Sequence, residues 1–183
     1  MCWIAFVAVW IAAWLHDRRY AAEVRKREPF PSWLLIVVLA YILTGVIVPR
    51  GSWSHLAFRP QPGVQYAGTI VVVLSTAFAI WARIVLGTMW SALAIVKVGH
   101  QLRTTGPYSI TRHPIYTAIL GMSIGSTMAQ GGGIWFLAFV TIALAVLTKI
   151  HSEEQLLVQT FGDDYRSYQR RVALIIPFVR LPG

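Results

Sequence analysis

The chain has 183 residues, 56% of them hydrophobic and only 13% charged, where an ordinary soluble domain carries about 25% charged residues. With a mean hydropathy of +0.60, this excludes two soluble domains and describes one integral membrane domain over 1–183; the lone cysteine, Cys2, excludes an internal disulfide or a multi-cysteine metal site. The formal charge of +9 does not indicate nucleic acid, because the basic residues fall between apolar runs, where they set topology and attract anionic lipid head groups.

Five apolar segments follow in chain order: 1–15, 33–49, 64–86, 114–129 and 134–149. The first has no positive leading region and no polar stretch after a cleavage site, so it does not read as a cleaved signal peptide. As a helix, residues 1–15 would cover about 22 Å, short of the roughly 30 Å hydrocarbon core. Either Met1 sits among the head groups or the true start differs. The third segment carries one charge, Arg83, near enough to its end to snorkel to the interface. The fourth and fifth are joined by Gln130-Gly131-Gly132-Gly133, which requires a tight turn and predicts an antiparallel hairpin. Gly121 and Gly125 offer that hairpin a small-residue packing face.

Loop charges predict orientation. Arg18, Arg19, Arg25, Lys26 and Arg27 precede the second segment; Lys97, Arg103 and Arg112 follow the third; Arg166, Arg170, Arg171 and Arg180 follow the fifth. The opposite side holds only Arg50 and Arg59. Twelve against two places the N-terminus outside and the C-terminus in the cytoplasm of a multi-pass protein of the cell membrane.

The tail reads as an amphipathic helix. Ser152-Glu153-Glu154-Gln155 fits a capping box, and Leu157, Phe161, Tyr165, Tyr168 and Val172 recur on one helical face. Gly162 weakens that helix by about 1 kcal/mol, and Pro177 stops it. The expected fold is therefore an all-α integral membrane protein of about five transmembrane helices with a cytoplasmic amphipathic C-terminal helix.

Two polar clusters meet on the cytoplasmic side under this topology. One is the run Gly106 to Tyr116, which ends Arg112-His113-Pro114-Ile115-Tyr116; the other is Glu153-Glu154. Ionisable groups at a bilayer edge are costly unless they serve a function. Each also has a plain structural reading. Pro114 suits a first helical turn, Arg112 and Tyr116 suit interfacial anchoring, Glu153 and Glu154 suit a helix N-terminus, and Lys149 suits an end-of-span lysine. His100 and His151 lack metal-ligand spacing, and no metal site is expected.

Together the pieces are more specific. The second half, from about Trp90 to Pro177, resembles the isoprenylcysteine carboxyl methyltransferase family of membrane enzymes and the related phospholipid methyltransferases. The resemblance rests on His100-Gln101-Leu102, Gly106-Pro107-Tyr108, Arg112-His113-Pro114-Ile115-Tyr116, Glu153-Glu154, Phe161-Gly162, Tyr165, Tyr168 and Ile176-Pro177, in matching order and spacing. It implies S-adenosylmethionine-dependent methyl transfer to a lipophilic or prenylated acceptor at the cytoplasmic face. By the family pattern the cofactor is held by His100, Gln101, Leu102, Arg103, Tyr108, His113, Pro114, Ile115, Tyr116 and Glu153. Lys149, where the family carries arginine, falls to the acceptor group; it keeps the charge and loses the bidentate fork.

The chemistry is coherent. Glu153 can pair with the donor's ammonium, His113 or Arg112 with its carboxylate, and Tyr108 and Tyr116 offer aromatic faces. An acceptor carboxylate needs no base; an amine acceptor does, and Glu154 is then the candidate. A phospholipid amine or a small thiol is the alternative acceptor. A transporter subunit predicts midplane ionisable residues, which the spans lack, and a non-catalytic scaffold predicts loss of the motif residues, which are present.

Overall fold

A computed structural model describes residues 1–17, 24–27, 60–89, 95–97, 102–177 and 179. The second expected segment, 33–49, lies outside the described residues, as do His100 and Gln101. Among the described residues the helices are α1 (Cys2–Asp17), α2 (Pro62–Leu86), α3 (Pro114–Gln130), α4 (Ile134–Phe161) and α5 (Asp163–Arg171), with 3-10 turns at Gly87–Met89 and Gly106–Ser109. Pro62 and Pro114 stand in the first turns of α2 and α3, where a missing N–H costs nothing. α2 and α4 are long and apolar enough to cross a bilayer, and α1 is a shorter apolar helix.

Exposed Ile70, Leu74 and Ile84 on α2 and Phe136, Leu144 and Leu147 on α4 form the outward apolar surface that lipid tails cover and water would not. The all-helical expectation needs one addition. A short antiparallel pair joins β1 (Val24–Arg27) to β2 (Ile95–Lys97), with Lys26 opposite Val96. It sets the stretch after α1 beside the stretch after α2.

α2 and α3 pack backbone against backbone. A Cβ on Gly68 would stand 2.6 Å from the Gly125 carbonyl oxygen, and one on Gly121 would strike the Ser75 hydroxyl. The small-residue face therefore serves α2, not the α3–α4 hairpin for which the sequence suggested it. Gly68 supplies the reason, since glycine on both partners lets two carbonyl ridges approach this closely. The hairpin itself is present, closed through Gly131 and Gly133 at φ 88° and 62°, values that favour glycine.

α1 lies along α2 and runs parallel to it. At one end Trp3 Nε1 donates to Ser126 Oγ at 3.0 Å, close to the Gly68–Gly125 contact; at the other, Asp17 forms an ion pair with Arg83. This corrects the snorkelling expectation for Arg83. Its side chain is 3% exposed, and a second guanidinium nitrogen donates to the Gly87 carbonyl at 2.6 Å. A buried carboxylate partner removes the need to reach water.

The tail also differs from expectation. α4 does not stop near Lys149 but runs unbroken to Phe161, because no glycine or proline interrupts it. Ser152 is consequently no N-cap, and its hydroxyl donates back to the Thr148 carbonyl at 3.3 Å. Gly162, at φ 54°, ends the helix instead of being carried through it. α5 then ends at Arg171, before Pro177 can act. At 1.5 Å per residue, Glu153 lies about 28 Å from the start of α4, which is the thickness of the hydrocarbon core.

Candidate active site

The site forms where the first turn of α3, the outer part of α4 and α5 converge. Three contacts hold the stretch before α3 in place. Arg112 N–H donates to the Ala173 carbonyl at 2.8 Å, His113 N–H to the Leu174 carbonyl at 3.2 Å, and Thr117 Oγ1 to the Ile175 carbonyl at 2.7 Å. The 3-10 turn that carries Tyr108 rests on the end of α2, with Gly106 against Trp81 and Val85. The Tyr168 hydroxyl donates to the Tyr108 carbonyl at 2.5 Å.

Glu154 is the centre of the polar cluster. Its Oε1 accepts from His113 Nε2 at 2.8 Å and from the Tyr165 hydroxyl at 2.5 Å. Its Oε2 accepts from Gln169 Nε2 at 2.6 Å and lies 3.3 Å from Arg112 Nη2. Burial, and after it the Glu154 charge, pushes the Tyr165 phenol far above its ordinary value, so this group stays protonated and donates. Three hydrogen bonds and the Arg112 ion pair thus hold this carboxylate on both oxygens.

Glu153 is less enclosed. Its Oε1 accepts from the Tyr116 hydroxyl at 2.8 Å and stands 3.0 Å from Lys149 Nζ. Its Oε2 faces His113 Nδ1 at 3.7 Å, beyond hydrogen-bond reach. The His113 ring stacks on Tyr116 at 5.7 Å between centroids. Burial, Tyr168 and then the Glu153 charge raise the Tyr108 phenol well above its usual value, so it stays protonated.

Thus Arg112, His113, Tyr116, Lys149, Glu153 and Glu154 come together, with Tyr108 behind them. Pro114 is buried at the helix start, Ile115 and Leu102 are half-buried, and Arg103 is exposed. None of these four has a polar side-chain contact to the cluster among the described residues. His100 and Gln101 lie outside those residues.

Sequence reasoning missed Tyr165 and Gln169 as site residues. Tyr165 read as part of an apolar face, although a tyrosine at a helix position that packs inward signals a hydroxyl in need of a partner. Gln169, one helical turn further on, carried no separate signal. Arg83 and Asp17 were missed because the pair joins residues far apart in the sequence.

The sequence model of the isoprenylcysteine carboxyl methyltransferase (ICMT) family matches residues 68–159, half of the chain. Methanethiol S-methyltransferase 1 of Bradyrhizobium diazoefficiens is 28% identical over 180 residues, covering 86% of this chain and 62% of its own. Protein-S-isoprenylcysteine O-methyltransferase B of Arabidopsis thaliana is 30% identical over 149 residues, covering 80% of this chain and 72% of its own. A solved structure of the eukaryotic intramembrane Ras methyltransferase ICMT has the same fold, with a TM-score of 0.52 at 22% identity. That alignment covers 85% of this chain and 56% of the other. The chain thus spans less than two thirds of the length of the first relative and of the solved structure.

Proposed function

We propose that this chain, which belongs to the isoprenylcysteine carboxyl methyltransferase family, transfers a methyl group from S-adenosylmethionine to a lipophilic or small acceptor at the membrane edge. The observation that carries the reading is the pairing of a carboxylate held on both oxygens, Glu154, with a more open one, Glu153, at the depth where an apolar acceptor meets a water-soluble donor.

The residues present fit such a donor. Glu153 Oε2 lies beyond hydrogen-bond reach of His113 Nδ1, at 3.7 Å, and is the natural acceptor for an ammonium. Arg112 Nε is buried with no hydrogen-bond partner, and an unpaired buried donor is costly until an acceptor such as the donor's carboxylate reaches it. Tyr116 and Tyr108 supply aromatic faces for a cation or a purine. When bound, the sulfonium supplies an already activated methyl group. The chain's own work is then to bind both ends of the donor, align the acceptor with it and exclude water.

Lys149 contacts Glu153 and is buried, at 7% exposure. We assign it to the acceptor side, as a charge that favours an anionic or ionisable group. The acceptor classes consistent with the relatives' names are an isoprenylcysteine-type carboxylate and a small thiol. A phospholipid amine is less favoured, because an amine beside Lys149 meets a like charge and Glu154 is already held by three hydrogen bonds and an ion pair.

We also infer five crossings with the C-terminus cytoplasmic. The support is the parallel run of α1 and α2, which leaves the described ends at Arg27 and Pro60 at opposite ends of the bundle. The β1–β2 pairing supports it further by placing two basic stretches together.

Calorimetry on the detergent-solubilised chain tests the donor reading. S-adenosylmethionine should bind, and Glu153→Gln should weaken it at least about tenfold, as loss of a charge-assisted hydrogen bond predicts. A folded wild-type sample that binds no donor would end the proposal.

A further inference from the structure

We propose that His113 takes the proton from a thiol acceptor and that Glu154 is the positioning residue that prepares it. The inference rests on the transfer reading above and narrows its acceptor to a thiol.

The sequence suggested Glu154 as the base, but the geometry does not leave it free. His113, Tyr165, Gln169 and Arg112 converge on its two oxygens, and each favours the bare carboxylate over the acid. Glu153 accepts from Tyr116 and faces Lys149 through one oxygen, and in the transfer reading its other oxygen is taken by the donor's ammonium. The remaining group able to take up a proton in this cluster is the His113 imidazole.

Its orientation follows from its partner. Nε2 lies 2.8 Å from an anionic oxygen, so in the neutral ring the proton resides on Nε2 and the lone pair on Nδ1. The tautomer is assigned from that hydrogen bond. Two carboxylates face the ring, and the cations Arg112 and Lys149 stand behind them. Glu154 faces Nε2, Glu153 Oε2 lies 3.7 Å from Nδ1, and Tyr116 stacks on the ring. Lys149 acts on Glu153 from α4, and Arg112, Tyr165 and Gln169 act on Glu154. A carboxylate that fixes the tautomer on one side and faces the imidazolium formed on the other is the arrangement by which histidine serves as a general base.

Proton uptake has no task with a carboxylate acceptor, which is already anionic at neutral pH. A thiol, with an ordinary pKa of about 8.5, keeps its proton and reacts only as thiolate. In the balanced step the S–H bond breaks and the proton goes to Nδ1. The sulfur's electron pair forms the new S–CH3 bond, and the pair of the broken carbon–sulfonium bond stays behind on the departing neutral thioether. The imidazolium returns its proton to water once the products leave.

The test compares two thiols on the full chain in detergent: a short alkanethiol, and an aromatic thiol acidic enough to be thiolate at neutral pH. His113→Ala should lose on the order of 100-fold more methyl-transfer rate with the alkanethiol than with the aromatic thiol, the usual scale of a general base. Raising the pH toward the alkanethiol's own pKa should narrow that gap. Glu154→Gln, which preserves shape, should show the same bias to a smaller degree. Circular dichroism and thermal unfolding of each variant verify that it is folded, and saturating donor separates the rate from any change in donor affinity. Equal losses on both thiols at every pH, or donor binding by the wild type without transfer to either thiol, would overturn the inference and leave the transfer reading standing. A wild-type chain that binds no donor overturns both.

Discussion

Replacing Asp17 with Asn removes the carboxylate paired with the buried Arg83 guanidinium. Arg83 is 3% exposed and lies at the end of an apolar helix, so water cannot take the place of the lost carboxylate. Removing one partner of a buried ion pair costs about 3–5 kcal/mol. The Gly87 carbonyl, 2.6 Å from the guanidinium, keeps part of it satisfied and sets the expectation at the lower end, about 3 kcal/mol. For a chain of this length that corresponds to a fall in Tm of about 6–12 °C. The assay is thermal unfolding in a fixed detergent, followed by circular dichroism. The double variant Asp17→Asn/Arg83→Met should recover most of the loss, since it leaves no buried charge without its partner. A single variant that melts within about 2 °C of wild type, or a double variant no better than the single one, would refute the buried-pair reasoning.

Other substitutions probe the packing and the tail. Gly125→Leu should force α2 and α3 apart and destabilise by about 1–3 kcal/mol, while Gly63→Ala, with nothing within 4 Å, serves as the silent control in the same melt. Gly162→Ala puts a Cβ at φ 54° and should cost about 1–2 kcal/mol, measured by the same unfolding. Tyr165→Phe deletes one of three hydrogen bonds to Glu154 and should cost about 1–3 kcal/mol, measured by the same unfolding. For topology, a cysteine at Gly132 should react with an impermeant thiol reagent from outside intact cells, and one at Ser167 only after the membrane is opened, with Cys2 replaced in both.

The apolar periodicity made most helices legible. α2, α3 and the start of α4 lie where the hydrophobic runs place them, because in lipid a backbone must satisfy its own hydrogen bonds and a long apolar run has little choice but helix. Boundaries set by weak polar signals were not legible. The capping-box pattern at Ser152 met a helix already nucleated upstream, and propagation costs far less than a new start. The meeting of Arg112, His113, Lys149, Glu153 and Glu154 was legible from topology, since their segments fall on one side. What each does to the others was not. Glu153 read as the ammonium's partner and Glu154 as a candidate base, but the fold surrounds Glu154 with three hydrogen bonds and an ion pair while leaving one oxygen of Glu153 beyond hydrogen-bond reach of His113. Pairings such as Trp3 with Ser126 and Asp17 with Arg83 join residues with no local pattern in common, so only the packed helices bring them out.

The convergence on Glu154 has a consequence for transplanting this chemistry. Its donors come from the residues just before α3 and from α5, and two of them, Tyr165 and Gln169, lie beyond the residues 68–159 that match the family. A graft bounded by the recognisable motifs would carry every charged group and still leave that carboxylate half-solvated, free to turn and to accept a proton. The portable unit is therefore larger than the signature. It extends at least to Ile175, whose carbonyl anchors Thr117, and any chimera cut shorter inherits the charges without the geometry that gives each of them a separate task.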